Sequence, residues 1–272
     1  MTVADTPSPP FSAPPKAAIP RVDVLGVGVS AINLDDAVTA ILGWTAEGRR
    51  TYVCVTGVHG VMESQDDPAL RAIHNGAGLV TPDGMPLVWL LKHAGHHGAD
   101  RVYGPDLMAA VFAATHTGDG PAHFLYGSTP EVLERLAGTL HARFPGCRIA
   151  GTWSPPFRPL TDEEEAAAVA RINASGAGIV WVGLSTPKQE RWMAAHRPHL
   201  TAPVLIGVGA AFDFHAGLKR QAPRIIQRSG FEWLFRLAIE PRRLWRRYAT
   251  NNPRFVVRIA GQLLRQSRRP AA

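Results

Sequence analysis

A single carboxylate, Asp83, ends a short apolar run in the segment Leu79-Val-Thr-Pro-Asp-Gly84. A carboxylate at the tip of a strand can act as a general base that takes the proton of an incoming hydroxyl group. Aspartate is also a favoured N-cap residue, so Asp83 could instead cap the helix that follows. The local sequence leaves these two roles equally open.

An arginine, Arg101, opens the segment Arg101-Val-Tyr103-Gly-Pro-Asp106. An arginine beside a helix start can hold a diphosphate, because its planar fork and the free backbone N–H groups both donate to anions. The alternative is a structural ion pair between Arg101 and either Asp100 or Asp106, which the local sequence slightly favours.

A third polar segment, Gly183-Leu-Ser-Thr186-Pro-Lys188-Gln189-Glu190, also follows an apolar run. Lys188 and Gln189 offer donors for phosphate or sugar hydroxyl groups, whereas Glu190 favours the first turn of a helix. In an open α/β sheet, ligands bind just beyond the carboxyl ends of the strands. The three polar segments are therefore expected at that edge of a sheet.

The elements that must position these side chains alternate along the chain. Apolar runs predict strands within residues 52–58, 78–84, 122–128, 148–154, 178–184 and 203–209. Amphipathic or capped stretches predict helices at 68–76, 86–95, 130–144, 187–196 and from a Thr161–Glu164 capping box to Ile172. Such alternation builds right-handed βαβ units, so the expected fold class is α/β with a Rossmann-like, doubly wound, mostly parallel sheet.

Composition divides the chain into three parts. Residues 1–20 hold six prolines and almost no large apolar side chain, which predicts a disordered leader. Residues 21–225 carry the α/β pattern, and residues 226–272 are expected to form a basic, amphipathic, helical C-terminal appendage. In that appendage one helix is predicted to end before Pro241, a second to start there, and a third segment to start at Pro253.

Charge is distributed unevenly between these parts. The 272 residues include 29 Lys+Arg and 22 Asp+Glu, for a net charge of +7. Residues 219–272 contain 14 basic and two acidic residues (+12), whereas residues 1–218 contain 15 basic and 20 acidic residues (−5). Trp245 lies among four arginines between residues 242 and 247, and Tyr248 directly follows them, as at a membrane interface. The C-terminal charge predicts an anionic partner.

Two further motifs carry little weight. The segment Gly26–Ala31 has the shape of a dinucleotide fingerprint, but the best helix start, Asn33, comes five residues too late, so a tight loop is preferred. His93, His96 and His97 surround a helix end without HExxH spacing or a paired carboxylate, which favours a solvated turn. No metal site and no cofactor is predicted.

The cysteine content and the apolar runs restrict the class of protein. Two cysteines, Cys54 and Cys147, exclude a disulfide scaffold and favour a reducing compartment. The leader lacks the basic and apolar regions of a secretory signal, and no stretch of about 18 apolar residues predicts a spanning helix. A hydrophobic content of 46% excludes a wholly disordered chain.

Six motifs in register resemble the WecG/TagA/CpsF family of bacterial glycosyltransferases (glycosyltransferase family 26) over residues 22–255. The motifs are Asp66-Asp-Pro-Ala-Leu-Arg71, Leu79-Val-Thr-Pro-Asp-Gly84, Arg101-Val-Tyr-Gly-Pro-Asp-Leu-Met108, Thr186-Pro-Lys-Gln-Glu190, Gly207-Val-Gly-Ala-Ala-Phe-Asp213, and Glu232-Trp-Leu through Glu240-Pro-Arg242. Each motif alone is weak, but six in order are specific.

The resemblance implies an inverting, metal-independent hexosyltransferase with the family's GT-E fold. Such an enzyme moves a sugar from a UDP-sugar to a polyprenyl-diphosphate-linked sugar acceptor in cell-surface polysaccharide or teichoic-acid-type assembly. By analogy Asp83 is the catalytic base, and the appendage contacts the anionic inner face of the cell membrane from the cytoplasm. The substrate-binding positions are then Thr56, His59, Arg101, Tyr103, Lys188, Gln189, Arg236, Arg243 and Arg246. The resemblance leaves room for a homo-oligomer.

One segment departs from the family pattern. Many members carry a Thr-Pro-Asn or Ala-Asn pair where this chain has Val55-Thr-Gly-Val-His59. The loop would lie near the donor sugar, so the identity of that sugar stays open and His59 could take part in binding it.

Two other function classes remain as alternatives. A nucleotide-binding oxidoreductase would use the Gly26–Ala31 turn, but the acidic residue that binds the ribose is missing. A nucleic-acid-binding protein would use the clustered arginines, but the aromatic and aliphatic faces beside them favour a bilayer.

Overall fold

Six parallel strands form the central sheet of the computed structural model, which describes residues 18–117 and 119–267. The strands are β1 (Arg21–Val24), β2 (Val27–Ser30), β3 (Thr51–Thr56), β4 (Leu79–Pro82), β5 (His123–Gly127), β6 (Ile149–Trp153), β7 (Ile179–Gly183) and β8 (Val204–Gly207). The order across the sheet is β4-β3-β8-β7-β5-β6, while β1 and β2 form a separate antiparallel hairpin. The predicted α/β class with a parallel sheet is confirmed. Most of the predicted leader, residues 1–17, lies outside the described residues.

Helices cover both faces of this sheet. They are α1 (Leu34–Ala46), α2 (Val58–Asp66), α3 (Pro68–Gly76), α4 (Met85–His93), α5 (Gly104–Thr115), α6 (Pro130–Arg143), α7 (Asp162–Ala174), α8 (Lys188–His196), α9 (Ala211–His215), α10 (Arg224–Arg228), α11 (Glu232–Ile239) and α12 (Pro241–Ser267). Alternate residues of β3 enter two different clusters of buried side chains. Val53 packs with α1, α5 and α6, whereas Cys54 packs with α2, α4 and α8. The strands are therefore buried on both sides, as their nearly continuous apolar runs predict.

The segment Gly26–Ala31 belongs to the hairpin and not to a nucleotide-binding helix. Leu25 and Gly26 have φ values of 54° and 86°, the left-handed pair that a two-residue hairpin turn requires. Helix α1 begins later, where Asn33 and Asp36 form a reciprocal capping box. The preference for a tight turn and for a helix start at Asn33 is confirmed.

The predicted third helical segment of the appendage is wrong, because α12 continues through Pro253 to Ser267. A proline inside a helix removes one hydrogen bond and costs about 3 kcal/mol. The residues that follow Pro253 pack against α2 and the buried cluster beneath it, and these contacts offset that cost. Arg254 makes two hydrogen bonds to Asp66 of α2, at 2.8 and 2.7 Å, and Phe255 is buried in the cluster beneath α2. The proline therefore does not end the helix.

The last turns of α12 also hold the N-terminal hairpin. Oε1 of Gln262 accepts a hydrogen bond from the backbone N–H of Leu25 at 2.8 Å, and its Nε2 donates to the carbonyl of Asp23 at 2.7 Å. Gln65 of α2 donates to the carbonyl of Leu25 at 2.6 Å. The hairpin turn is therefore bound on one side by α12 and on the other side by α2.

Within the described ranges, no helix combines the length and the apolar character needed to cross a bilayer.

A buried polar chain crosses the core at β5. The indole N–H of Trp181 donates to Nδ1 of His123 at 3.1 Å, so the ring proton of His123 sits on Nε2, which lies 2.9 Å from the hydroxyl of Thr115. Burial lowers the pKa of His123 to about 3. The folded protein therefore holds this imidazole neutral down to acidic pH.

Stability should fall with pH below the ordinary pKa of histidine, because the unfolded chain then binds a proton that folded His123 excludes. Between about pH 7.5 and pH 5 this one group should remove about 2 kcal/mol from the free energy of unfolding, measured with urea. The variant His123→Gln, which does not titrate, should lose about that much less over the same interval. Equal losses in both proteins would contradict the assignment.

Candidate active site

The polar segments that follow β3, β4, β7 and β8 line one deep cleft at the carboxyl edge of the sheet. The cleft has a volume of about 2090 Å³ and is closed on its other side by α10, α11 and α12. It brings together most of the side chains that the sequence singles out. These are His59, Asp83, Arg101, Tyr103, Gln189, Arg236 and Arg243. The appendage is therefore one wall of the candidate site.

Asp83 does not cap the helix that follows it. Helix α4 starts at the N-cap Gly84, which makes no side-chain capping bond, so that alternative is wrong. The backbone of Asp83 is fixed on both sides, since its N–H donates to the carbonyl of Thr56 at 3.0 Å and its carbonyl accepts from Nε of Arg101 at 2.6 Å. Its carboxylate makes no hydrogen bond to the described chain, and Oδ1 is buried without a partner. A carboxylate held in this way is available to a ligand.

Arg101 joins the sheet edge to the appendage. Its NH2 nitrogen binds Oε2 of Glu232 at 2.5 Å, its NH1 nitrogen donates to Gln227 at 2.9 Å, and its guanidinium stacks over the ring of Tyr103, 4.0 Å from the ring centre. The alternative of a side-chain ion pair with Asp100 or Asp106 is wrong, because the Arg101 guanidinium pairs with Glu232 and Asp83 instead. Asp100 accepts from the backbone N–H of Arg101 and pairs with the side chain of Arg228. The NH2 nitrogen of Arg101 lies 3.9 Å from Oδ1 of Asp83, close enough for charge attraction but not for a hydrogen bond.

Glu232 connects two arginines. Besides Arg101, its Oε1 binds Nε of Arg236 at 2.9 Å, and NH2 of Arg236 lies 3.1 Å from the hydroxyl of Tyr103. The Glu232 side chain is only 14% exposed. Burial raises the pKa of Glu232, and the two guanidinium groups oppose that rise. Burial likewise raises the pKa of Tyr103, which stays a neutral phenol. Sequence reasoning did not single out Glu232 as a site residue, because its partner Arg101 lies 131 residues away and only Arg236 is near it in sequence.

Gln189 lies on the cleft wall above a buried carboxyl group. Its Nε2 donates to Oε1 of Glu190 at 3.1 Å, and the hydroxyl of Thr186 donates to the same oxygen at 2.9 Å. Oε1 of Gln189 is buried without a partner. Burial raises the pKa of Glu190. Lys188, by contrast, is exposed at the start of α8 and borders neither this cleft nor the smaller cavity beside it.

Of the two predicted site residues at the end of β3 and after it, Thr56 and His59, only His59 lines the cleft. Thr56 points inward, is only 2% exposed and does not line the cleft. His59 faces the cleft, with Nδ1 lying 3.1 Å from Nδ2 of Asn251 on α12. Burial, and after it the charge of Arg247, lowers the pKa of His59 to about 4. His59 is therefore a neutral hydrogen-bonding group near pH 7.

A second cavity of about 470 Å³ adjoins the cleft between α2 and α12. His59, Thr186, Arg247 and Asn251 line both cavities. Arg246 lines the second cavity, with its guanidinium over Trp245.

The arginines along the cleft differ in how they are paired. Arg243 is paired with Glu240. Arg247 forms no ion pair with the described residues, and sequence reasoning missed it because nothing in the run of arginines distinguishes it. Arg247 is therefore a cation open to an anionic ligand at the point where the cavities meet.

In the described part of the chain, no three His, Cys, Asp or Glu side chains are grouped so as to hold a metal ion. The positive charge at the cleft comes from arginines and from Lys219, which is paired with Asp213 and Glu240.

The comparison with protein families agrees with this geometry. The model of the family described as "Glycosyl transferase WecG/TagA/CpsF family" matches residues 22–269. The match spans the sheet, the cleft and α12.

Loss of the Glu232 carboxylate, which two arginines share, should destabilise the protein far more than loss of the exposed carboxylate of Glu131. Glu232→Ala leaves two guanidinium groups largely buried without their partner and should lower the free energy of unfolding by about 3 kcal/mol or more. Glu131→Ala removes the exposed i,i+4 pair with Arg135 and should cost less than about 1 kcal/mol. Urea unfolding of both variants tests this, and similar losses would contradict the role given to Glu232.

Proposed function

The chain belongs to the WecG/TagA/CpsF family of glycosyltransferases, and on that premise we propose a specific reaction for it. It is an inverting, metal-independent hexosyltransferase that moves a sugar from a UDP-sugar to a polyprenyl-diphosphate-linked sugar acceptor. Asp83 is the general base. The reaction serves cell-surface polysaccharide or teichoic-acid-type assembly on the cytoplasmic side of the membrane.

The observation that carries this proposal is the carboxylate of Asp83 on the cleft wall, whose one ion pair with the described residues is the 3.9 Å contact with Arg101. Its backbone is fixed by Thr56 and Arg101, while its carboxylate makes no hydrogen bond to the described residues. In the reaction an acceptor hydroxyl gives its proton to this carboxylate, and the hydroxyl oxygen bonds to the anomeric carbon of the donor. The bond from that carbon to the diphosphate breaks, and UDP leaves with the electron pair. A single displacement of this kind inverts the configuration of the anomeric carbon.

Positive charge is needed where the diphosphate leaves. Arg246 and Arg247 supply it from α12, together with Arg243, whose pair with Glu240 is more exposed than the pairs of Glu232 and leaves its guanidinium reachable. Arginine suits this task because its planar fork can donate two hydrogen bonds to one phosphate. Arg101 and Arg236 are already bound to Glu232, so we assign them to the wall beside Asp83. We assign Gln189 and His59 to sugar hydroxyl groups, as neutral hydrogen-bonding partners.

The surface of the appendage supports a membrane-bound acceptor. Exposed large apolar side chains are concentrated on or beside α10, α11 and α12. They are Ile225, Phe231, Leu234, Ile239, Trp245, Val256, Val257 and Leu264. Arginines on the same helices would meet anionic headgroups, at about 1 kcal/mol for each basic residue near the surface. This combination is typical of an interfacial helix.

The oxidoreductase alternative loses its basis, because Gly26 lies in a hairpin turn and Gly28 lies in the antiparallel strand β2 that follows it.

Removing the charge of Asp83 should abolish transfer without unfolding the protein. Asp83→Asn should lower kcat/KM by about 10²-fold or more with a UDP-sugar and a lipid-diphosphate acceptor, because general base catalysis typically contributes that much. The exposed Asp35→Asn in α1 changes the net charge equally and should keep full activity. Full activity of Asp83→Asn, with UDP release measured, would show that the base lies elsewhere.

Membrane binding should depend on the apolar face of α12. Val257→Glu, at a side chain 72% exposed, should weaken binding to vesicles of mixed anionic and neutral lipid by about tenfold in a flotation assay. Phe157→Glu, at a residue 89% exposed before α7, makes the same charge change and should leave binding intact. Tight retention of DNA at matched salt with no flotation of the wild type would favour the nucleic-acid alternative.

A further inference from the structure

Gly57, between β3 and α2, has a backbone conformation that does not require glycine. It is the N-cap of α2, with φ −106° and ψ −170°. Asn33, the N-cap of α1, has nearly the same values, φ −107° and ψ −173°, and there the asparagine side chain caps the helix. A capping side chain at residue 57 would therefore adopt its usual geometry. Helix α2 lacks such a cap because residue 57 is glycine.

Packing does not require glycine at residue 57 either. A Cβ atom placed there would meet one atom within 4 Å, Oδ2 of Asp83, at 3.8 Å, which is ordinary van der Waals contact. At Gly60, one turn later, a Cβ atom would lie 2.9 Å from Cγ2 of Thr56, so that glycine is enforced by its neighbour. Gly57 instead borders open space in the cleft, next to the carboxylate of Asp83.

The two oxygens of that carboxylate differ in access. Oδ1 is buried and lies on the side of Arg101, 3.9 Å from its guanidinium. Oδ2 lies on the side of Gly57. The Asp83 side chain is 27% exposed, so a ligand can reach it. Any side chain longer than a methyl group at residue 57 would extend over the approach to Oδ2.

We propose that Gly57 is a specificity-determining position, and that its missing side chain admits the sugar ring whose hydroxyl group reaches Oδ2 of Asp83. The inference rests on the proposed function of Asp83 as base. The acceptor O–H bond breaks as the proton moves to Oδ2, the oxygen bonds to the anomeric carbon, and the diphosphate leaves with its electron pair. The ligand of this subsite is a hydroxyl-bearing hexose unit of the acceptor, and not the donor sugar that the resemblance places near this loop, because residue 57 faces the oxygen that takes the acceptor proton.

Substitution of Gly57 should separate two reactions that share the same base. In Gly57→Asn, transfer to a lipid-diphosphate sugar should fall at least about tenfold, which corresponds to about 1.4 kcal/mol in the activation barrier. Hydrolysis of the UDP-sugar should persist within about threefold of wild type, because a water molecule still reaches Oδ2 past a side chain that excludes a sugar ring. Gly57→Ala should shift the same ratio in the same direction, but less.

Three controls keep the result interpretable. The melting temperature of Gly57→Asn should equal or exceed that of wild type, because asparagine is at least as good an N-cap as glycine. UDP affinity measured by calorimetry should be unchanged, since residue 57 borders the base and not the arginines of α12. Gly98→Asn, at an exposed glycine with no atom near its Cβ direction, should leave both rates unchanged.

The outcomes distinguish a failure of the proposed function from a failure of the role given to Gly57. If wild type neither transfers nor hydrolyses any UDP-sugar, the proposed function is wrong. If wild type transfers sugar and Gly57→Asn transfers it equally well, the function stands and the role of Gly57 is wrong. Equal loss of hydrolysis and transfer in both Gly57 variants would also overturn it, because the side chain would then disturb the base itself.

Discussion

One largely buried carboxylate shared by two guanidinium groups sets the geometry of the cleft. Arg101 reaches Glu232 from the sheet edge, and Arg236 reaches it from within α11. Both guanidinium groups lie over the ring of Tyr103, 4.0 and 5.9 Å from its centre. Because Arg101 also binds the carbonyl of Asp83, the position of the appendage and the position of Asp83 are fixed by the same contacts. Neither wall of the cleft can move far without separating these charges.

The parts of the fold that depend on local patterns could be predicted from the sequence. The parallel strands, the capping boxes at Asn33 and Thr161, and the hairpin turn at Gly26 each follow from a few neighbouring residues. The continuity of α12 through Pro253 could not be predicted, because it depends on docking contacts with α2, 188 residues away in the case of Arg254 and Asp66. A proline signal is local, and the contacts that override it are not.

The residues of the candidate site likewise fall into those that the local sequence could identify and those that it could not. Asp83 could be identified because a strand end and a carboxylate are adjacent in sequence, and the structure then excludes its role as a helix cap. Thr56 has a suitable side chain but turns inward, since Gly60 leaves room for its methyl group. The roles of Glu232 and Arg247 depend on residues far along the chain: Glu232 joins the distant Arg101 to its neighbour Arg236, and Arg247 shares a cavity with His59. Sequence predicts which chemistry is present, while burial and pairing decide which groups remain free to perform it.

The hydrogen bonds of Gln262 to Asp23 and Leu25 join the last turns of α12 to the N-terminal hairpin, and this has a consequence for synthesis of the protein. Asp83 leaves the ribosome 184 residues before Ser267, the last described residue of α12. At typical translation rates this interval is roughly ten to forty seconds. The sheet can be completed once its central strand β8 has been made, 60 residues before Ser267, when the cleft still lacks one wall and the arginines of α12. If Asp83 is the base, as proposed, the nascent chain then carries it without the arginines assigned to the leaving diphosphate, and the complete candidate site forms only with α12.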